Sequence, residues 1–107
     1  MSMKDAQKQV QERPLWTLND IGSSISRSFV AHDFAAAMDF LQRVGEVAEA
    51  RGHHPDLHLT DWRSVQLVLS THSVGGLTRA DFSNAAAIDA LPVSYSPKWA
   101  REHLDHV

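Results

Sequence analysis

The sequence predicts an α+β fold, in which helices pack on one face of a four-stranded antiparallel sheet to form a two-layer sandwich. The main observation is the order of the segments. Two pairs of short runs have strand-like composition, and each pair is followed by a run with helical periodicity. The chain has 107 residues, a common size for one domain, so we expect a single domain over residues 1–107.

The N-terminal segment is polar. Residues 3–12 predict a short helix that is ended by Pro14, because proline cannot continue a helix. This helix has few apolar residues to bury. We therefore expect residues 1–13 to form a loosely attached arm.

The first predicted strand pair comprises residues 15–19 and 23–30, joined by a turn. In the second strand Ile25 and Phe29 lie on the same side. Arg27 lies between them on that side, so the alternation of apolar and polar residues is imperfect.

The clearest helix is predicted over residues 33–51, with Asp33 as N-cap and Gly52 as C-terminal cap. Apolar and small residues recur at helical spacing and predict one buried stripe. The stripe consists of Phe34, Ala37, Met38, Leu41, Val44, Gly45 and Ala48. Phe40 and Val47 fall off this stripe. They form a second contact face, for instance with another subunit, or are simply exposed.

The second strand pair is predicted over residues 56–60 and 65–72, with a turn at 61–64, and reads as an antiparallel hairpin. In the first strand Leu57 and Leu59 lie on one side and alternate with polar residues. In the second strand Val65, Leu67 and Leu69 are expected to face inward.

The remaining elements are predicted from residues that begin or end helices. Residues 73–77 predict a flexible link, and Thr78 caps a helix running to about Leu91. The alanines at 85–87 permit close approach of another helix. Residues 98–106 predict a final helical turn or two.

Composition excludes several classes of protein. The net charge of −3 argues against a general nucleic-acid binder, and the lack of cysteine excludes disulfides and thiolate metal sites. No apolar run approaches the roughly 18 residues of a membrane span. The polar N-terminus lacks the apolar core of a signal peptide. We therefore expect a cytoplasmic protein that contacts neither membrane nor, directly, nucleic acid.

Three histidines cluster at the ends of predicted elements. His53 and His54 lie between the long helix and the strand that follows Pro55, and His72 ends the last strand. Histidine exchanges protons near neutral pH, and neighbouring residues on an extended segment point in opposite directions. One of the pair can therefore transfer a proton while the other positions a ligand. Alternatively, the pair simply favours the helix C-terminal dipole.

Two carboxylates accompany the histidines. Asp81 fits a capping box with Thr78, which is a sufficient structural explanation by itself. Glu49 lies one helical turn before His53 and either hydrogen-bonds it or is an ordinary exposed residue. A metal site is the chemical alternative, although the spacing matches no standard zinc pattern. Its ligands would be His53, His54, His58, His72 and Asp81.

These residues resemble the pterin-4a-carbinolamine dehydratase family. The resemblance runs from about Phe29 to Leu91 and rests on three motifs in order. They are Glu49-x-x-x-His53-His54-Pro55, Leu69-Ser70-Thr71-His72 and Gly75-Gly76-Leu77-Thr78-x-x-Asp81-Phe82. The resemblance implies the same four-stranded fold, with dimers joined sheet edge to sheet edge and paired into tetramers through helices.

The resemblance also implies a reaction. Water is removed from 4a-hydroxytetrahydropterin to give quinonoid dihydropterin, which serves tetrahydrobiopterin recycling for aromatic amino-acid hydroxylases. The pterin is the substrate, and no cofactor or metal is implied. His53 and His72 are the implied acid and base groups, and His54 orients the pterin with some catalytic share.

The implied substrate-binding residues come from the same motifs. Glu49 orients a histidine, Ser70 and Thr71 line the pterin pocket, and Asp81 matches a family site position. Gly52 departs from the pattern, because many members have an acidic residue there. An alternative is a dehydratase-like binding or assembly module with weak turnover that acts through a protein partner. A metal-dependent hydrolase is the third possibility.

Overall fold

The sheet has four antiparallel strands in the order β1-β2-β4-β3, as seen in a computed structural model that describes residues 1–104. The strands are β1 (Thr17–Leu18), β2 (Ile25–Val30), β3 (Asp56–Thr60) and β4 (Ser64–Leu69). The helices are α1 (Met3–Gln11), α2 (Phe34–Arg51), α3 (Arg79–Asp89) and α4 (Pro97–His103). A short 3-10 helix covers His72–Val74. The predicted fold class is confirmed.

The central strands β2 and β4 supply most of the buried side chains on the inner face of the sheet. Ile25 pairs with Leu69 and Phe29 pairs with Val65, so their side chains alternate into the core. The predicted hairpin of β3 and β4 is also present, with Leu59 packed against the core. The helices cover this face and complete the two-layer arrangement.

Both ends of α2 were predicted correctly. The Asp33 side chain accepts a hydrogen bond from the Ala36 N–H at 2.8 Å. Gly52 ends the helix with a left-handed φ of 65°, a conformation that glycine adopts without steric cost.

The buried face of α2 differs from the prediction. Its buried residues are Ala37, Phe40, Val44 and Ala48. Phe34 and Met38 are instead about half exposed, at 53% and 48%. The reason is a contact with the sheet, because the Phe40 ring meets the Phe29 ring edge-on at a centroid distance of 5.0 Å.

The first helix is held against the sheet rather than loosely attached. Ala6 is fully buried and Val10 packs on the core. At Gly22 an added Cβ would lie 2.8 Å from the Met3 sulfur, so the helix and the turn approach closely. Small residues at these points allow contact that a count of apolar residues does not predict.

Two predicted boundaries move. Strand β4 ends at Leu69 rather than at residue 72, because Thr71 leaves the sheet and forms an isolated bridge with Gly76. The predicted flexible link therefore begins with an ordered 3-10 turn. Helix α4 occupies the start of the predicted 98–106 segment, and residues 105–106 lie outside the described part of the chain.

Arg27, the polar residue on the apolar side of β2, forms a buried ion pair. Arg27 is almost fully buried and donates to Asp89 Oδ1 at 3.0 Å and to the Tyr95 hydroxyl at 2.8 Å. Its guanidinium also lies over the rings of Phe29 and Phe40. A buried charge requires such partners, so the C-terminal end of α3 is fixed to the middle of the sheet.

We expect Asp89→Ala to lower the free energy of unfolding by about 3 kcal/mol, because it leaves the Arg27 charge buried without its partner. Denaturant unfolding followed by circular dichroism measures the loss. Asp39→Ala is the matched control, since it breaks an exposed pair with Arg43 on α2 and should leave stability nearly unchanged. Equal losses in the two variants would contradict the importance of the buried pair.

Candidate active site

His53 leaves α2 at the point where the helix ends. Its N–H donates to the Ala48 carbonyl at 3.2 Å, and the left-handed turn at Gly52 directs the chain towards α3. The His53 ring then reaches Asp81, with Nε2 at 2.5 Å from Oδ1. The Asp81 side chain is fully buried, whereas the His53 side chain is 18% exposed. The histidine is therefore held from inside and open on one side.

Asp81 divides its two oxygens between two tasks. Oδ2 accepts from the Thr78 N–H at 2.9 Å and from the Thr71 hydroxyl at 2.8 Å, and so completes the capping box of α3. Oδ1 contacts His53. The capping explanation and the site explanation are thus compatible, because each uses a different oxygen of one carboxylate.

This arrangement commits one ring nitrogen of His53 to the contact with Asp81. Asp81 accepts hydrogen bonds from a hydroxyl and from an N–H, as an ionised carboxylate does. Because a carboxylate oxygen accepts, we assign Nε2 of His53 as the donor to Oδ1, which leaves Nδ1 outside this contact. A buried carboxylate in such a contact fixes the orientation of the imidazole ring.

His54 belongs to a separate, exposed pair. Its Nε2 lies 3.1 Å from Glu49 Oε1, and both side chains are mostly exposed to solvent. Glu49 therefore contacts His54 and not His53, the partner that helical spacing suggested. The left-handed turn at Gly52 is the reason, because beyond it helical spacing no longer predicts which residues meet.

A cavity of about 650 Å³ lies beside this second pair. Its walls combine the last turns of α2 with the start of the strand that follows, and His54, Glu49, Pro55 and Leu57 are among them. The cavity is large enough for a small flat heterocycle.

The remaining predicted residues follow β4. Ser70 is partly buried, Thr71 contacts Asp81, and His72 is exposed at the start of the 3-10 helix. The structure thus brings His53, Asp81 and Thr71 into one hydrogen-bonded group. His54 and Glu49 form another, and His72 adjoins the first group through its chain neighbour Thr71.

One residue of this region was missed by the sequence analysis. Asn84 is fully buried on α3, and its Nδ2 donates to the His53 carbonyl at 3.0 Å. The available signal was its position three residues after Asp81, which places the two on the same face of a helix.

Among the side chains suggested as metal ligands, His53 and Asp81 contact each other. Within residues 1–104, no three or more such side chains are grouped so as to hold one metal ion. None of the helices in that range is long and apolar enough to cross a membrane.

Comparison with known proteins identifies the family. The family model for pterin 4 alpha carbinolamine dehydratase matches residues 1–91. The chain belongs to this family. The Pterin-4-alpha-carbinolamine dehydratase 2, mitochondrial, of Arabidopsis thaliana is 41% identical over 95 residues, or 87% of this chain. The chain spans about half the length of that relative, namely 51%.

A bacterial relative is matched over more of its own length. A putative pterin-4-alpha-carbinolamine dehydratase of Nocardia farcinica is 48% identical over 82 residues, which cover 77% of this chain and 83% of the relative. This relative is therefore similar to the chain over most of the length of both sequences.

Solved structures agree with the fold. The transcriptional coactivator/pterin dehydratase of Brucella melitensis superposes with a TM-score of 0.78 at 28% identity, covering 84% of this chain and 95% of that one. A pterin dehydratase-like protein described as a RuBisCO assembly factor gives 0.61 at 22% identity, over 74% and 90% of the two chains. This second likeness concerns the fold alone.

The two tasks of Asp81 predict unequal losses of stability. Asp81→Asn should lower the free energy of unfolding by about 2 kcal/mol. The new NH₂ group would face a hydrogen-bond donor, either the His53 ring or the Thr78 N–H of the cap, and neither can accept from it. Thr78→Ala removes the cap side chain and keeps the His53 contact, so it should cost about 1 kcal/mol. Urea unfolding of both variants measures the difference. A loss in Asp81→Asn no greater than in Thr78→Ala would contradict the second task.

Proposed function

We propose that this protein removes water from a 4a-hydroxytetrahydropterin to give quinonoid dihydropterin. The pterin is the substrate, and the chemistry uses histidine side chains without a resident cofactor. Membership of the dehydratase family supports the substrate class. The observation that carries the mechanism is the 2.5 Å contact between His53 and the buried Asp81.

The reaction needs one proton donor and one proton acceptor. The hydroxyl at C4a must gain a proton to leave as water, and the ring nitrogen beside C4a must lose one. His53 suits the acceptor role, because Asp81 holds its ring through Nε2 and leaves Nδ1 outside that contact. His72 then supplies the proton to the leaving hydroxyl. One proton enters and one leaves the pterin, so no net charge is gained by the protein.

The proposed binding residues lie close to these two histidines in the sequence. His54 follows His53 in the chain and lines the cavity at the end of α2, so we assign it to orientation of the pterin, with Glu49 fixing its ring. Ser70 and Thr71 directly precede His72 in the chain, and on that basis we assign them to the pterin site. In this arrangement the pterin lies between the end of α2 and the end of β4.

We also propose that the protein is a homodimer or homotetramer coupled in function to an aromatic amino-acid hydroxylase. The hydroxylase would supply the 4a-hydroxy substrate. Two surfaces support self-association: the outer edge of β3, which is the last strand in the sheet order, and the exposed Phe34 and Met38 one turn apart on α2.

The assignment of roles predicts large losses of turnover. His53→Ala and His72→Ala should each lower kcat by roughly 10²-fold or more, because each removes a proton-transfer group. The assay follows dehydration of 4a-hydroxytetrahydropterin generated in situ by a phenylalanine hydroxylase.

His58→Ala is the matched control for these variants. This histidine is exposed on β3, and its loss should leave kcat within about twofold of the wild type. Near-normal rates in both His53→Ala and His72→Ala would refute the assignment. If folded wild-type protein does not exceed the spontaneous rate, a binding or assembly module that acts through a protein partner becomes the better account.

A further inference from the structure

Asn84 is a fully buried amide on a helix face that is otherwise mostly apolar. On α3 it lies between Asp81, one turn earlier, and Ile88, one turn later, and both of these are also buried. Ala85, its neighbour on this face, belongs to the hydrophobic core. An amide in such a position is unusual, because burial removes its hydrogen bonds with water.

Asn84 satisfies only half of its amide within the part of the chain that is described. Its Nδ2 donates to the His53 carbonyl at 3.0 Å, whereas its Oδ1 is buried without a hydrogen-bond donor among residues 1–104. A buried acceptor without a partner lowers stability, and a leucine, which has the same number of side-chain heavy atoms, would avoid that loss. Packing alone therefore does not explain the amide.

The partner of Asn84 explains it better. Beyond the left-handed turn at Gly52, the main chain of His53 is outside both helix and sheet. Its N–H is bonded to Ala48 and its carbonyl to Asn84, while its ring is bonded to Asp81. Helix α3 thus supplies two of the three anchors, from residues three apart on one face.

We propose that Asn84 is a positioning residue for His53. It fixes the His53 main chain, and this places the ring where Nε2 meets Asp81 and Nδ1 remains available. The consequence for turnover rests on the proposed dehydratase function. The positioning itself does not, because it is a property of the folded protein.

The kinetic test uses two variants that lack the amide donor. In Asn84→Leu and Asn84→Ala, kcat should fall about tenfold, because a displaced proton-transfer group loses alignment with the reacting atom. KM should stay within about twofold, since no pterin contact is removed. Ser83→Ala is the control. Ser83 is the exposed neighbour on α3 that accepts a hydrogen bond from Arg51, and its loss should leave both constants unchanged.

The second test needs no activity. Long-range ¹H–¹⁵N NMR spectra report the tautomer of each histidine ring, and comparison with His53→Gln identifies the His53 signals. In the wild type these signals should show one tautomer with the proton on Nε2. In Asn84→Leu and Asn84→Ala they should move towards the tautomer mixture of the exposed His58.

The two readouts separate the two proposals. If the His53 ring signals stay in place in both folded variants, the positioning role is overturned whatever the rates are. Moved signals with an unchanged kcat would overturn its catalytic consequence. If the signals move in the Asn84 variants but the wild-type protein has no dehydratase activity, the positioning role is supported and the proposed function is rejected.

Discussion

The contact between His53 and Asp81 joins three parts of the fold. It links the end of α2 to the start of α3, and through Thr71 it reaches the end of β4. The carboxylate is fully buried and is stable there because hydrogen bonds surround it. The hydrogen bonds that satisfy this buried carboxylate therefore also fix the orientation of the histidine. One side chain therefore both caps α3 and holds a histidine ring.

Helix α3 carries a largely buried carboxylate at each end, and the two serve different purposes. Asp81 at the N-terminal end orients His53, whereas Asp89 at the C-terminal end neutralises Arg27 in the core. Because both ends are tied to other elements, the helix has little freedom to shift along or around its axis. A helix held in this way is a rigid support for a side chain that must lie within a fraction of an ångström of its working position.

Local patterns in the sequence predicted what depends on neighbouring residues. The caps at Asp33 and Thr78 and the hairpin of β3 and β4 are all present, because each depends on residues a few positions apart. The prediction of the buried face of α2 was partly wrong. The helix has two overlapping apolar stripes, and the stripe that contains Phe40 is buried because Phe40 packs on Phe29 of the sheet. Contacts between distant residues, such as those made by the buried polar side chains of α3, leave no mark in local spacing.

The central claim is that His53, held by Asp81, is part of a pterin dehydratase site. Its most direct test is the rate of 4a-hydroxytetrahydropterin dehydration with wild-type protein and with Asp81→Asn, at a temperature where both are folded. We expect wild-type protein to accelerate the reaction and Asp81→Asn to lose about tenfold or more of that acceleration. A wild-type rate equal to the spontaneous one, or a folded Asp81→Asn as fast as the wild type, would contradict the account.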